Sequence, residues 1–231
     1  TSSLVGSEMC IRDRVYEGKS ISDIITQGPM GVGFISGGSG IAGMSNLGKD
    51  ALTCIIQNLA ELDALTDVII VDTGAGISDS VLEFLVASGE VLLVTTPEPT
   101  SITDSYSLLK ALYRHPRYEE AYTKVKMVAN RVENVKEGQV LFDKLNAVVT
   151  RYLKTSMEYL GCVPQDPQVV RAVMQQVPVS IQNPGAKSSQ AYQRIAERLC
   201  DKTQEEQPKR GMAAFFSHII GTRNGAAKQS R

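Results

Sequence analysis

The stretch Asp67-Val-Ile-Ile-Val-Asp72-Thr-Gly-Ala-Gly76 decides the reading of this chain. Val68 to Val71 are branched and apolar without interruption, and the run ends on an acid and a glycine-broken turn. A parallel strand covered by helices on both faces has no solvent side to mark with polar residues. A continuous apolar run therefore predicts such a strand. Ligands of open α/β sheets gather at the carboxyl ends of the strands, which puts Asp72 where chemistry is expected. Gly74 and Gly76 let backbone N–H groups come close to an anion.

Two readings of Asp72 fit these residues. In one it is a Walker B acid holding Mg²⁺ through water, ahead of a phosphate-sensing switch loop. In the other it is an acid at the polar exit of a buried strand.

Working outward from this stretch, strands and helices alternate. Leu52, Ile55, Ile56, Leu59, Leu62 and Leu65 have helical spacing over Asp50 to Leu65. Ser78 opens a helix with capping residues. Glu90 to Thr96 reads as a second buried strand, broken by Pro97-Glu98-Pro99, with a helix over Ser101 to Tyr113. Tyr122 to Val128 is a third strand running into Ala129-Asn130-Arg131, and a helix follows over Leu141 to Leu153. Met157 to Val163 is a short strand stopping at Pro164-Gln-Asp166. Helices over Val169 to Gln176 and Ser188 to Leu199 close the core. This alternation predicts a doubly wound, mostly parallel α/β sheet. Nearer the start, Val15 to Asp23 reads as a short helix or loop that Ile24-Ile25 extend. Gly28 to Gly31 is a turn and Val32 to Ile35 a short strand.

Two motifs are decoys. Gly38-Ser-Gly-Ile-Ala-Gly43 spells GxGxxG, but the next strand ends only at Asp72, too far for a dinucleotide fingerprint. Gly43-Met-Ser-Asn-Leu-Gly-Lys49-Asp50 spells most of a Walker A loop. It ends on an acid where a Mg²⁺-binding hydroxyl belongs.

With 42% hydrophobic and 21% charged residues, the 231-residue chain has the composition of a globular protein with a substantial core. A net charge of −1 gives no argument for bulk nucleic-acid binding. Cys10, Cys54, Cys162 and Cys200 are scattered, as in reduced proteins without a disulfide framework or zinc site. With His115 and His218 far apart, a histidine-centred metal site or a Ser/His/Asp hydrolase is not expected.

Residues 1–14 (TSSLVGSEMCIRDR) have no periodicity and resemble the translated sequencing-adaptor tails that head some fragmentary gene models. They are read as a non-native or disordered leader, with a core domain over residues 15–200 and a polar linker over residues 201–210. Beyond the linker, residues 211–231 contain no acid, and Met212, Phe215, Phe216, Ile219 and Ile220 share one helical face. With Lys209, Arg210 and Arg223 nearby, this tail suits a helix lying in an anionic bilayer surface. A frayed tail or a helix docked on a partner fits as well.

Taken together, Val71-Asp-Thr-Gly-Ala-Gly-Ile-Ser78, Thr95-Thr-Pro-Glu-Pro-Thr-Ser-Ile-Thr-Asp104, Asn130-Arg-Val132 and Val163-Pro-Gln-Asp166 resemble the FlhG/FleN branch of the MinD/ParA ATPases. The turn at Gly37–Gly40 ahead of Asn46-Leu47 is similar too. The resemblance runs from about Val15 to about Leu199. It implies an ATP-driven dimerising switch that sets flagellar number and placement and visits the inner face of the cell membrane. Implied partners are a second copy, a signal-recognition-type GTPase, flagellar regulators or basal-body proteins, and the membrane itself.

It further implies that Asp72 binds Mg²⁺ through water and that Gly76 lies near the γ-phosphate. Asn130 would read the adenine, with Arg131 also in the nucleotide site, Pro164 and Asp166 in the loop beside the base, and Thr96 and Pro97 lining the site. The cofactors would be ATP and Mg²⁺. Family members also carry a KGGVGKT-type phosphate loop and an Asp-rich switch I, and these 231 residues contain neither. Phosphoryl transfer depends on that positioning and charge neutralisation. The chain is thus expected to be an N-terminally truncated copy lacking at least one interior strand, with no catalytic residue retained. A non-catalytic partner-binding module on the same fold is the alternative, and a dinucleotide-dependent oxidoreductase built on Gly38–Gly43 is a weaker one.

Overall fold

The computed structural model describes residues 25–35, 62–200 and Phe215. The chain divides into two compact units, one comprising Thr1–Asp72 with Arg210–Arg231, the other Thr73–Lys209.

In the first unit, β1 (Thr26–Gln27) and β2 (Gly33–Phe34) pair antiparallel, Thr26 opposite Phe34. Between them a 3₁₀ turn, Pro29–Gly31, takes Met30 and Gly31 through positive φ (58° and 77°). The turn falls where it was expected, whereas Thr26–Gln27 extends as a strand where the sequence suggested no strand. Helix α1 (Leu62–Leu65) is the described end of the helix expected over Asp50–Leu65, with Leu62 buried.

The stretch Asp67–Asp72 is not a strand. It has no ladder partner among the described residues. Val68 and Ile70 are 65% and 86% exposed, with Ile69 and Val71 more covered but still exposed. A strand needs a neighbour for its N–H and C=O groups and covers for its two faces. A continuous apolar run states the need for such cover without supplying it. Asp72 accordingly does not close a strand.

The second unit carries the expected parallel sheet. Strands β3 (Glu90–Thr95), β4 (Lys124–Val132) and β5 (Glu158–Pro164) lie in the order β3-β4-β5, all parallel. One face is covered by α2 (Asp79–Ala87), α3 (Pro99–Tyr113) and α4 (Val135–Leu153). Val91, Leu93, Val125, Met127 and Ala129 meet Val86, Leu109, Leu112, Leu141, Leu145 and Val149 there. The other face receives α7 (Lys187–Leu199), whose Ala191 and Ile195 pack on Val128, Leu160 and Val163. Helices on both faces make the unit doubly wound.

Cover on the second face stops short of β3. Val91, Leu93 and Thr95 are buried, but Leu92 and Val94 are 47% and 52% exposed. The expectation of a fully buried strand at Glu90–Thr95 is thus corrected to a half-buried one. No described element packs on its second face. At the start of that face Lys126, 6% exposed, reaches Glu90 at 2.9 Å.

Helix α4 begins at Val135, six residues before the expected start at Leu141. Asn134 accepts from the Glu137 N–H at 3.0 Å while Glu137 accepts from the Glu133 N–H at 2.6 Å. These two capping bonds set the start, although the apolar periodicity begins later. Strand β5 contains a register shift at Gly161, whose φ is 152°. The shift puts Tyr159 and Cys162 on the α4 face and Leu160 and Val163 on the α7 face. Helix α5 (Pro167–Met174) and the short α6 (Val179–Gln182), which periodicity alone did not reveal, complete the unit.

Candidate functional site

Three parallel strands end side by side, and their exit loops form one edge. The register sets Thr95 opposite Ala129, Asn130 opposite Val163, and Val132 opposite Pro164. The edge therefore gathers Thr96-Pro97-Glu98 from β3, Asn130-Arg131 from β4 and Pro164-Gln165-Asp166 from β5. This is the carboxyl end of the sheet, where doubly wound proteins bind ligands.

The β3 exit is anchored below and above. The hydroxyls of Thr95 and Ser105, both buried, lie 2.6 Å apart, and the Thr96 N–H donates to Ser101 Oγ at 3.0 Å. Glu98 precedes Pro99, the first residue of α3. Hydrogen bonds from the Thr96 side chain and from its own backbone N–H, and then the charge of Arg131, hold the Glu98 carboxyl below the usual carboxylate range.

The β4 exit is a bulge. Arg131 has a φ of 57°, and the register slips between Asn130 and Val132. The Arg131 N–H donates to Asn130 Oδ1 at 3.0 Å, and the Gln165 N–H donates to the Val132 carbonyl at 2.8 Å. Arg131 Nη1 stands 3.5 Å from Glu98 Oε1, both side chains about half exposed.

The β5 exit turns on Asp166. One carboxylate oxygen accepts from the Gln168 N–H at 2.9 Å. The other accepts from the Ser188 N–H at 3.1 Å and the Ser188 hydroxyl at 2.9 Å. These bonds, Gln168 first, keep its pKa below the usual 3.8. One side chain thus joins the amino ends of α5 and α7 and fixes the loop that begins at Pro164.

Asn130, Arg131, Pro164 and Asp166 are therefore brought to one edge, together with Thr96 and Pro97. Gly76 (φ 111°) lies in an exposed turn two residues before Ser78, the cap of α2. Asp72 is exposed and belongs to the other unit. In the tail, Phe215 is helical and 8% exposed. Met212, Phe216, Ile219, Ile220 and the decoy motifs at 38–50 lie outside the described residues. Sequence reasoning passed over Glu98 and Ser188. Glu98 sits between two prolines and read only as part of a strand breaker, and Ser188 only as a helix start.

At this edge the Asn130 amide and the Arg131 guanidinium lie in register beside the β5 exit at Pro164, while Val163 is buried. Among the described residues no three His, Cys, Asp or Glu side chains converge to hold an ion. No chemical step is therefore derived through Mg²⁺.

Solved structures with a similar fold include MinD and ParA-family proteins. The MinC:MinD complex of Aquifex aeolicus superimposes with a TM-score of 0.60, covering 87% of this chain and 76% of that one at 20% identity. MinD with Mg-ADP from Pyrococcus horikoshii gives 0.57, covering 86% and 76% at 17% identity. The fold is thus that of the MinD/ParA-type P-loop NTPases. No family model matches the chain. Among curated proteins it is 37% identical to the antiactivator FleN of Pseudomonas aeruginosa over 207 residues, 89% of this chain and 72% of FleN. It is 31% identical to the flagellum site-determining protein YlxH of Helicobacter pylori, over 87% and 67%. The chain belongs to the FleN/FlhG family.

Proposed function

We propose that this chain is part of an adenine-nucleotide-dependent switch that controls the number or placement of flagella. The observation that carries the reading is the convergence of Asn130, Arg131, Pro164 and Asp166 at the carboxyl edge of a parallel sheet. Similarity to an antiactivator and to a flagellum site-determining protein supports the flagellar assignment. In this reading Asn130 and Arg131 meet the base and Pro164 packs against it. Asp166 holds the loop, and Gly76 faces the terminal phosphate. ATP drives pairing of two copies. The face of Met212, Phe215, Phe216, Ile219 and Ile220 brings the protein reversibly to the inner face of the cell membrane. Its protein partners are a signal-recognition-type GTPase and flagellar regulators or basal-body proteins.

The 231 residues hold no GxxxxGK[ST] loop, and the nearest approach ends on Asp50. Without that cradle the chain binds ATP weakly and does not hydrolyse it. Calorimetric titration of the purified chain with Mg-ATP is expected to show no tight binding; a micromolar isotherm would reject this part of the reading. A second reading, a partner-binding module that never turns over ATP, draws on the same Asp50. The genomic sequence upstream of Val15 separates the two. A KGGxGK[ST] loop followed by an Asp-rich switch supports the ATPase, and its absence supports the module.

A further inference from the structure

The β4 exit holds an unusual residue. Arg131 is a non-glycine residue at φ 57°, on a bulge, at the edge where the site is proposed. Such conformations cost free energy and persist where the surroundings enforce them, often at ligand sites. A bulge leaves its extra residue out of the ladder and re-aims its side chain. Here the re-aimed guanidinium comes to 3.5 Å from Glu98 Oε1.

Glu98 is itself held. Its loop is pinned by the Thr96 N–H to Ser101 Oγ bond, and its backbone carbonyl accepts from the Ile102 N–H at 3.2 Å, inside the first turn of α3. Its side chain makes no capping bond to that helix. The carboxylate, which accepts from the Thr96 hydroxyl and its own backbone N–H, also reaches the neighbouring strand's exit. On the other side, Asn130 has committed its carbonyl oxygen to the Arg131 N–H. The Asn130 amide nitrogen is a donor matched to the ring nitrogens of a purine, and its Oδ1 keeps a second lone pair for an amino group.

We propose that Glu98 is a positioning residue for this edge: by pairing with Arg131 it ties the loop after β3 to the bulge ending β4 and holds the guanidinium beside Asn130 for the base of an adenine nucleotide. The inference rests on the reading that this edge takes the base. An exposed ion pair of this length adds little to folding. Its consequence lies in orientation: a planar guanidinium stacks on a base only when its plane is set, and lysine has no plane to offer.

The test uses the full chain and free adenosine, which needs neither a phosphate cradle nor metal. Binding is followed by the ¹⁵N NMR signals of the Asn130 amide and the Arg131 Nε–H. Wild type is expected to titrate in the millimolar range. Glu98→Gln is expected to move the free-state Arg131 Nε–H signal and to weaken adenosine on the order of three- to tenfold, with an unchanged melting temperature. Arg131→Ala is expected to weaken it similarly, Arg131→Lys not to restore it, and the double variant Glu98→Gln/Arg131→Ala to bind no worse than Arg131→Ala alone. Affinity of Glu98→Gln within twofold of wild type, or losses that multiply in the double variant, would overturn the inference while wild-type titration leaves the base-edge reading standing. A wild type whose two signals ignore adenosine would remove the reading, and the inference with it.

Discussion

The Asp166 side chain ties two helices together. Its two oxygens accept three hydrogen bonds from the amino ends of helices that start twenty residues apart in sequence, at Pro167 and Lys187. Asp166→Ala is expected to lower stability by about 1–2 kcal/mol in a denaturant titration, the range for losing a helix cap. Because these bonds depress its folded pKa, the contribution is complete above the ordinary aspartate value of 3.8 and is lost as pH falls through the depressed one. Acid melts of wild type and variant should therefore converge only below that value. Gly138 makes an opposite point. A Cβ built there stands 2.6 Å from Tyr159 Oη and 2.8 Å from Cys162 Cβ, so α4 approaches β5 through a missing side chain. Gly138→Ala gains helix propensity but meets a backbone-anchored carbon. A net loss of roughly 1–2 kcal/mol is expected, read as a lower melting temperature.

Among elements, β3 differs most from its sequence signal. Its Glu-Val-Leu-Leu-Val-Thr pattern looked covered on both sides, yet among the described residues a helix covers only the face of Val91, Leu93 and Thr95. On the other face the buried Lys126 ammonium relies on the half-exposed Glu90 carboxylate. Glu90→Ala strands that charge in a nearly closed position, whereas Lys126→Met replaces it with an apolar side chain of similar length. The first is expected to destabilise by about 1–3 kcal/mol and the second by less, because an unpaired buried charge costs more than a lost pair. Chemical denaturation of the two variants checks the order, and a larger loss for Lys126→Met would reject it. The helices were legible to the degree that their signals were local. The ends of α3, α5 and α7 fall within one or two residues of the expected positions. The start of α4 was missed because Asn134 and Glu137 set it before the apolar repeat begins.

At the scale of the molecule, two compact units carry the expected features separately. The edge formed by the exits of β3, β4 and β5 lies wholly in Thr73–Lys209, while Asp72 and the residues from Arg210 belong to the other unit. No helix among the described residues is long and apolar enough to cross a membrane. Full-length protein is expected to co-sediment with anionic liposomes and Phe216→Glu to abolish this, because a carboxylate in the apolar face opposes both burial and the lipid charge. Equal sedimentation of the two proteins would remove the membrane assignment.

The order of residues determined the alternation of strands and helices, the parallel sheet, and the family, since turn residues, caps and apolar periodicity act over a few positions at a time. It also marked Asn130, Arg131, Pro164 and Asp166, because each sits where an apolar run stops. Only tertiary structure decided which runs became strands. Val68 to Val71 and Val91 to Val94 carry nearly the same apolar signal. The latter has β4 to pair with and helices on one face, and the former has no ladder partner among the described residues. Glu98 gained its place in the same way: its partner Arg131 lies one strand over, and register brings the two together.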